Sequence, residues 1–129
     1  KAKLKENMNQ NWVKWDILKK DSDVVMGSCG FHNWESAHER AEIGYLLHEP
    51  YRGFGFMSEA LRSVIKYGFG DMALNRIEAF ISPENIPSLY VVKSLGFMHE
   101  GTLRQHYKVN DKIHDSAVYS LLKLEYNKE

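Results

Sequence analysis

The chain has 129 residues, enough for one domain with a real core, and its 43% apolar and 26% charged residues describe a globular chain, not a disordered one. Lysine plus arginine and aspartate plus glutamate number 17 each, and zero net charge argues against nucleic acid as a direct partner, which would leave a basic excess. No apolar run approaches the ~20 residues that span a bilayer, so no membrane partner is expected, and the single Cys29 has no internal disulfide partner, which makes a reducing cytoplasm the expected location.

Residues Lys1 to Gln10 are polar and read as the tail of a helix. From Trp12 to Leu18 the texture is aromatic and β-branched with partial alternation, which predicts a strand. Trp12 and Trp15 are both expected to pack in the core. After the polar turn Lys19 to Asp23, Val24 to Phe31 reads as the return strand of a hairpin. Asn33 to Arg40 is a polar connection, and Ala41 to Leu47 is a third strand.

The stretch His48 to Arg62 then turns at Pro50, passes through Arg52-Gly53-Phe54-Gly55 and enters a helix. Its apolar residues Met57, Ala60, Leu61, Val64 and Ile65 form one stripe at helical spacing. Glycines let the backbone adopt φ > 0 and pass close to a ligand, and the first helical N–H groups have no internal acceptor. A strand, a Gly-rich turn and a helix N-terminus together predict an anion site, read here as a pyrophosphate cradle. The loop has no Gly-Lys-Ser/Thr ending and no three-glycine dinucleotide spacing, so those nucleotide classes are set aside.

Downstream, Arg76 to Ser82 alternates as a strand, and Pro83-Glu84-Asn85 breaks it. Ile86 to Leu95 is a second helix, with Pro87 in its first turn and Gly96 as its stop. Phe97 to Tyr107 and Lys112 to Leu124 are two strands about a turn near Asn110-Asp111. The predicted order is β-β-β-α-β-α-β-β: an α/β (α+β) fold with a mixed, mostly antiparallel sheet, flanking helices and no internal linker. The six histidines show no metal-ligand spacing with cysteine or carboxylates, so no metal is expected and single histidines on loops are read as solvated.

Three pieces together resemble the GNAT family of N-acetyltransferases. Ala41-Glu42-Ile43-Gly44-Tyr45 followed by Arg52-Gly53-Phe54-Gly55-Phe56-Met57 is similar to the acetyl-CoA motif Gln/Arg-x-x-Gly-x-Gly/Ala, with Met57 replacing the final small residue. Asn85-Ile86-Pro87-Ser88 running to Leu95-Gly96-Phe97 resembles the family's second helix, and His114 to Tyr119 its last strand. The wording is nearest the branch that includes ribosomal-protein N-terminal acetyltransferases. The resemblance implies a single GNAT-like domain over residues 1–129 that is short at its N-terminus, since a strand and two helices usually precede this point.

The resemblance implies acetyl-CoA as cosubstrate, with the backbone N–H groups of Phe54, Gly55, Met57 and Ser58 on the pyrophosphate and Gly53 shaping the turn. Arg52 would add charge near the phosphates. Leu46 and Leu47 would end a strand that splays so that its backbone meets the pantetheine arm by strand addition. Direct attack of an amine on the thioester needs no covalent enzyme intermediate, so Cys29 is read as buried and inert. Glu42, on the strand leading into the site, is the candidate base, directly or through water.

The position four residues before Gly96, where many members carry a tyrosine acid, is Val92, which cannot donate. Tyr90 lies about 200° around the helix from it. Ser88 is the candidate thiolate acid, though a route without one stays open, and Asn85 is a candidate for pantetheine contact or acceptor positioning. Both also fit helix capping. The expected function is transfer of an acetyl group to a primary amine such as a ribosomal protein N-terminus. The alternatives are a small-molecule N-acetyltransferase for a polyamine, amino acid or antibiotic, or a non-catalytic acyl-CoA-binding module. A homo-oligomer is left open.

Overall fold

The computed structural model describes residues 2–8 and 11–127. A seven-stranded sheet runs in the order β1-β2-β3-β4-β5-β7-β6. The strands are β1 (Ala2–Met8), β2 (Val13–Lys19), β3 (Val25–Glu35), β4 (Arg40–Leu47), β5 (Arg76–Ile81), β6 (Met98–Val109) and β7 (Lys112–Leu122). The helices are α1 (Phe56–Phe69), α2 (Ile86–Ser94) and a short α3 (Lys123–Tyr126). All neighbouring strands are antiparallel except β4 and β5, which are joined by the α1 crossover and run parallel.

Strand alternation sorts the side chains onto two faces. Val13, Trp15 and Ile17 of β2, Phe31 of β3, Ile43 of β4, Ile77 and Ala79 of β5 and Leu121 of β7 are buried on one of them. The predicted stripe of α1 covers this face: Met57, Ala60, Leu61, Val64 and Ile65 are all buried. Gly68 lets the helix approach closely, because a Cβ there would stand 2.7 Å from Cζ of Phe31. The opposite face is more polar, and carries Glu42, Arg76, Glu78 and Ser120 among the strand ends nearest the centre.

Four local expectations are corrected. Ala2–Met8 is an edge strand paired from Ala2↔Lys19 to Met8↔Val13, not the tail of a helix; a free β2 edge offers its backbone groups partners, and that outweighs a polar sequence. Lys1, Asn9 and Gln10, included in that helix reading, lie outside the described residues. The first α-helix among the described residues is α1.

Trp15 is buried as expected, but Trp12 precedes β2 and is exposed. The polar connection from Asn33 is largely strand: β3 continues to Glu35 and only Ser36–His38 forms a 3-10 turn. β7 stops at Leu122, where α3 begins. The β6–β7 hairpin turns on Asn110 and Asp111 at φ 50° and 64°, a two-residue turn whose left-handed residues suit Asn and Asp.

Candidate active site

The Gly loop links β4 to α1. A 3-10 turn at Glu49–Tyr51 leads to Arg52, whose Nε donates to the Leu47 carbonyl at 2.8 Å and closes the loop on the strand it leaves. Gly53 and Gly55 take φ of 86° and 81°, and Gly55 is the N-cap of α1 with no side-chain cap. A Cβ at either glycine would meet nothing within 4 Å, so glycine is required for its backbone angle and not for space. The first N–H groups of α1 have no intrahelical acceptor, and the helix dipole favours an anion beside them. Met57 sends its side chain into the core, Ser58 is half-buried and Phe54 is exposed, so an anion at this corner would meet backbone.

A wedge opens along the half of β4 that leads into the loop. β4 and β5 pair only at Arg40↔Arg76, Ala41↔Ile77 and Glu42↔Glu78. From Ile43 to Leu47 the strand keeps β3 on one side, through Leu46↔Ser28 and Leu47↔Gly27, and has no strand on the other. An open strand edge can take an extended amide-bearing chain as an added strand. Leu46 is exposed there and Leu47 half-buried. The edge and the helix N-terminus therefore fit the two polar parts of CoA, an amide-bearing arm and a pyrophosphate.

Glu42 sits at the last paired position, the apex of this wedge. Its carboxylate accepts from Asn33 Nδ2 at 2.5 Å and lies 3.2 Å from His32 Nε2. Gly44 makes room for that imidazole, since a Cβ there would stand 3.1 Å from His32 Cε1. The neighbouring carboxylate, Glu78, is held by Arg76 Nε at 3.0 Å. Arg76 also grips Glu100 with both terminal nitrogens, at 2.7 and 3.0 Å, and Ser120 Oγ donates to the same carboxylate. These hydrogen bonds from Arg76, then Ser120, pull the Glu100 carboxyl down to about 2. The cation thus compensates two of the three acidic groups in this row.

Across the wedge stands the N-terminus of α2. Asn85 is its N-cap, its Oδ1 accepting from the Ser88 N–H at 3.2 Å. Ser88 Oγ lies 2.6 Å from the Tyr45 hydroxyl, in a hydrogen bond either group can donate, and the same hydroxyl is 3.2 Å from the Ser88 carbonyl. Burial raises the Tyr45 phenol above its ordinary value, and the Ser88 hydrogen bond opposes this in part. Val92 is buried and Tyr90 points to solvent, so the phenol at this end of α2 comes from β4. Cys29 is buried, and its thiol is pushed up to about 12 by desolvation, which leaves it un-ionised and unreactive.

The structure puts Glu42 at the last β4–β5 pair on the polar face of the sheet, Asn85 and Ser88 at the N-terminus of α2 beside Tyr45, and Arg52 to Ser58 in the loop and first turn of α1 that follow β4. Sequence reasoning passed over His32, Asn33 and Tyr45. The available signal was the antiparallel pairing of β3 with β4, which puts His32 opposite Glu42. The histidines on the β6–β7 strands make ring contacts or hydrogen bonds. His99 stacks on Tyr119 at 4.9 Å, His106 bonds Ser116 Oγ at 2.8 Å and stacks on Phe80, and His114 stacks on Tyr107. Among the described residues, no group of three or more His, Cys, Asp or Glu is arranged to hold a metal ion, and no helix is long and apolar enough to cross a membrane.

Residues 1–98 match the family described as an acetyltransferase (GNAT) domain. The chain belongs to the GNAT acetyltransferase family. An uncharacterized N-acetyltransferase, p20, of Bacillus licheniformis is 45% identical over 113 residues, covering 88% of this chain and 64% of that protein. The ribosomal-protein-serine acetyltransferase of Escherichia coli is 33% identical, over 86% of this chain and 62% of that protein. The crystal structure of a probable acetyltransferase superposes with a TM-score of 0.83 at 34% identity, covering 89% of this chain and 64% of that one. This GNAT chain therefore spans less than two thirds of the length of these two curated relatives. The seven-stranded mixed sheet with its three helices is the fold these GNAT neighbours share.

Proposed function

We propose that residues 1–129 form one acetyltransferase domain that moves the acetyl group of acetyl-CoA directly to a primary amine, in the cytoplasm. The observation that carries this reading is the divergence of β4 from β5 immediately after Glu42. It leaves an open strand edge leading from the glycine loop to the N-terminus of α2, a shape suited to the pantetheine arm. The backbone N–H groups of Phe54, Gly55, Met57 and Ser58 would hold the pyrophosphate, with Gly53 setting the turn and Arg52 bracing it. The edge of Leu46 and Leu47 would hold the arm.

Acetyl-CoA supplies the activated acyl group; the chain supplies position and protons. Glu42 takes the proton from the attacking amine, directly or through water, and the hydrogen bond from Asn33 and the close contact of His32 fix the carboxylate. Ser88 donates to the departing sulfur. Asn85 orders the first turn of α2 and holds Ser88 in place. Our reading of the acceptor as a ribosomal protein, at its N-terminus, is supported by the name of a 33% identical relative, a ribosomal-protein-serine acetyltransferase.

The test is release of free CoA thiol from acetyl-CoA by the full chain, with ribosomal-protein N-terminal peptides beside polyamines and amino acids. Turnover with the peptides and not the small amines is expected. If acetyl-CoA raises the melting temperature but no amine releases thiol, the domain binds acyl-CoA without catalysis. Glu42→Gln should lower kcat at neutral pH by about 100-fold or more. Full turnover by that variant would remove Glu42 as the base.

A further inference from the structure

The phenol of Tyr45 has no place in the transfer as described so far, yet it makes the closest contact to the proposed acid. Tyr45 is on the α2-facing side of β4, three residues past Glu42, where β4 has already lost its β5 partner. Its hydroxyl is 2.6 Å from Ser88 Oγ and part-buried. We propose that Tyr45 is a positioning residue that donates its hydroxyl proton to Ser88 Oγ, so that the Ser88 O–H is turned into the wedge and its oxygen is stabilised as it gives up its proton. This rests on the reading of Ser88 as the acid.

Two arrangements of the hydroxyl pair are possible, and they have opposite consequences. If Tyr45 donates to the Ser88 carbonyl at 3.2 Å, the Ser88 proton is spent on the phenol oxygen and none faces the wedge. If Tyr45 donates to Oγ, the serine keeps its proton for another acceptor. A phenol is a more acidic donor than an aliphatic alcohol, and the alcohol is the better acceptor, which favours the second across the 2.6 Å contact. Burial keeps the phenol protonated at neutral pH, so it has a proton to share.

The proton balance closes. The amine nitrogen bonds to the acetyl carbon as the carbon–sulfur bond breaks, the bonding pair leaving on sulfur. Ser88 Oγ gives its proton to that sulfur while Tyr45 holds the oxygen. Glu42 takes the proton shed by the amine, and solvent then reprotonates Ser88 and deprotonates Glu42.

The experiment is a double-mutant cycle on the full chain with Tyr45→Phe, Ser88→Ala and the pair. Ser88→Ala should lower kcat by about 100-fold, as for loss of a general acid. Tyr45→Phe should lower it by about tenfold, the worth of a hydrogen bond to a developing charge. The double variant should match Ser88→Ala within about twofold, because Tyr45 acts only through Ser88. The acetyl-CoA KM and the melting temperature should be unchanged by Tyr45→Phe. A second readout needs no turnover: the thiol of bound CoA, titrated through its thiolate absorbance, should have its pKa raised by either single substitution.

Wild-type or faster turnover by Tyr45→Phe, with Ser88→Ala impaired, would overturn the Tyr45 assignment alone and favour donation to the carbonyl. Losses that multiply in the double variant would also overturn it, by showing independent roles. Full activity of Ser88→Ala would instead remove the acid on which the inference rests.

Discussion

Gly55 tests the anion site, because its conformational and electrostatic roles separate in two substitutions. At φ 81° it is in the left-handed region, and a Cβ there would meet nothing within 4 Å. Gly55→Ala therefore carries only the backbone penalty, about 1 kcal/mol, and should lower the melting temperature by about 3–5 °C. Gly55→Glu shares that penalty, but its carboxylate at the start of α1 gains about 0.3–1 kcal/mol from the helix dipole, so it should be at least as stable as the alanine variant.

Binding should rank the other way. A carboxylate about 5 Å from a phosphate, at an effective dielectric constant of about 30, is repelled by about 2 kcal/mol, or about 30-fold in affinity. Calorimetry with CoA would measure this, with pantetheine, which has no pyrophosphate, as the control whose affinity should not differ between the variants. If Gly55→Glu binds CoA as well as Gly55→Ala does, the pyrophosphate does not lie at this helix terminus.

Gly68→Ala puts a methyl 2.7 Å from Cζ and 3.1 Å from Cε2 of the buried Phe31 ring. Overpacking of about 1–3 kcal/mol should exceed the ~1 kcal/mol gained in helix propensity, so thermal unfolding should show a net loss; a more stable variant would contradict the close packing of α1 on β3. Glu100, with its folded pKa depressed from 4.5 to about 2, contributes stability that is full above pH 4.5 and lost as pH falls through about 2. The pair is partly exposed, so its worth is about 1 kcal/mol, and Glu100→Gln should lower stability above pH 5 and flatten its decline between pH 5 and 2. Urea titrations across that range that run parallel for wild type and variant would refute the Arg76–Glu100 linkage.

Much of the fold and half of the site could be read without coordinates. The stripe from Met57 to Ile65, the glycines at 53 and 55 and the Pro87 to Gly96 limits of α2 are local signals, carried by spacing and by the backbone angles particular residues allow. They fixed the helices, the glycine turn before α1 and the family. The reading failed where pairing decided the outcome. Residues 2–8 have the composition of a solvated helix end, yet an open strand edge beside them makes them β1.

The chemistry divides along the same line. Glu42, Asn85 and Ser88 could be nominated from sequence because each belongs to a recognisable local segment. What holds them could not. His32 reaches Glu42 through strand register, Arg76 reaches Glu100 across β7, where Ser120 also donates to it, and Tyr45 reaches Ser88 over 43 positions of chain. A sequence states which backbone angles and amphipathic faces a segment prefers within a few residues. Which groups share protons depends on sheet order, and sheet order is set only when the whole apolar face is buried at once.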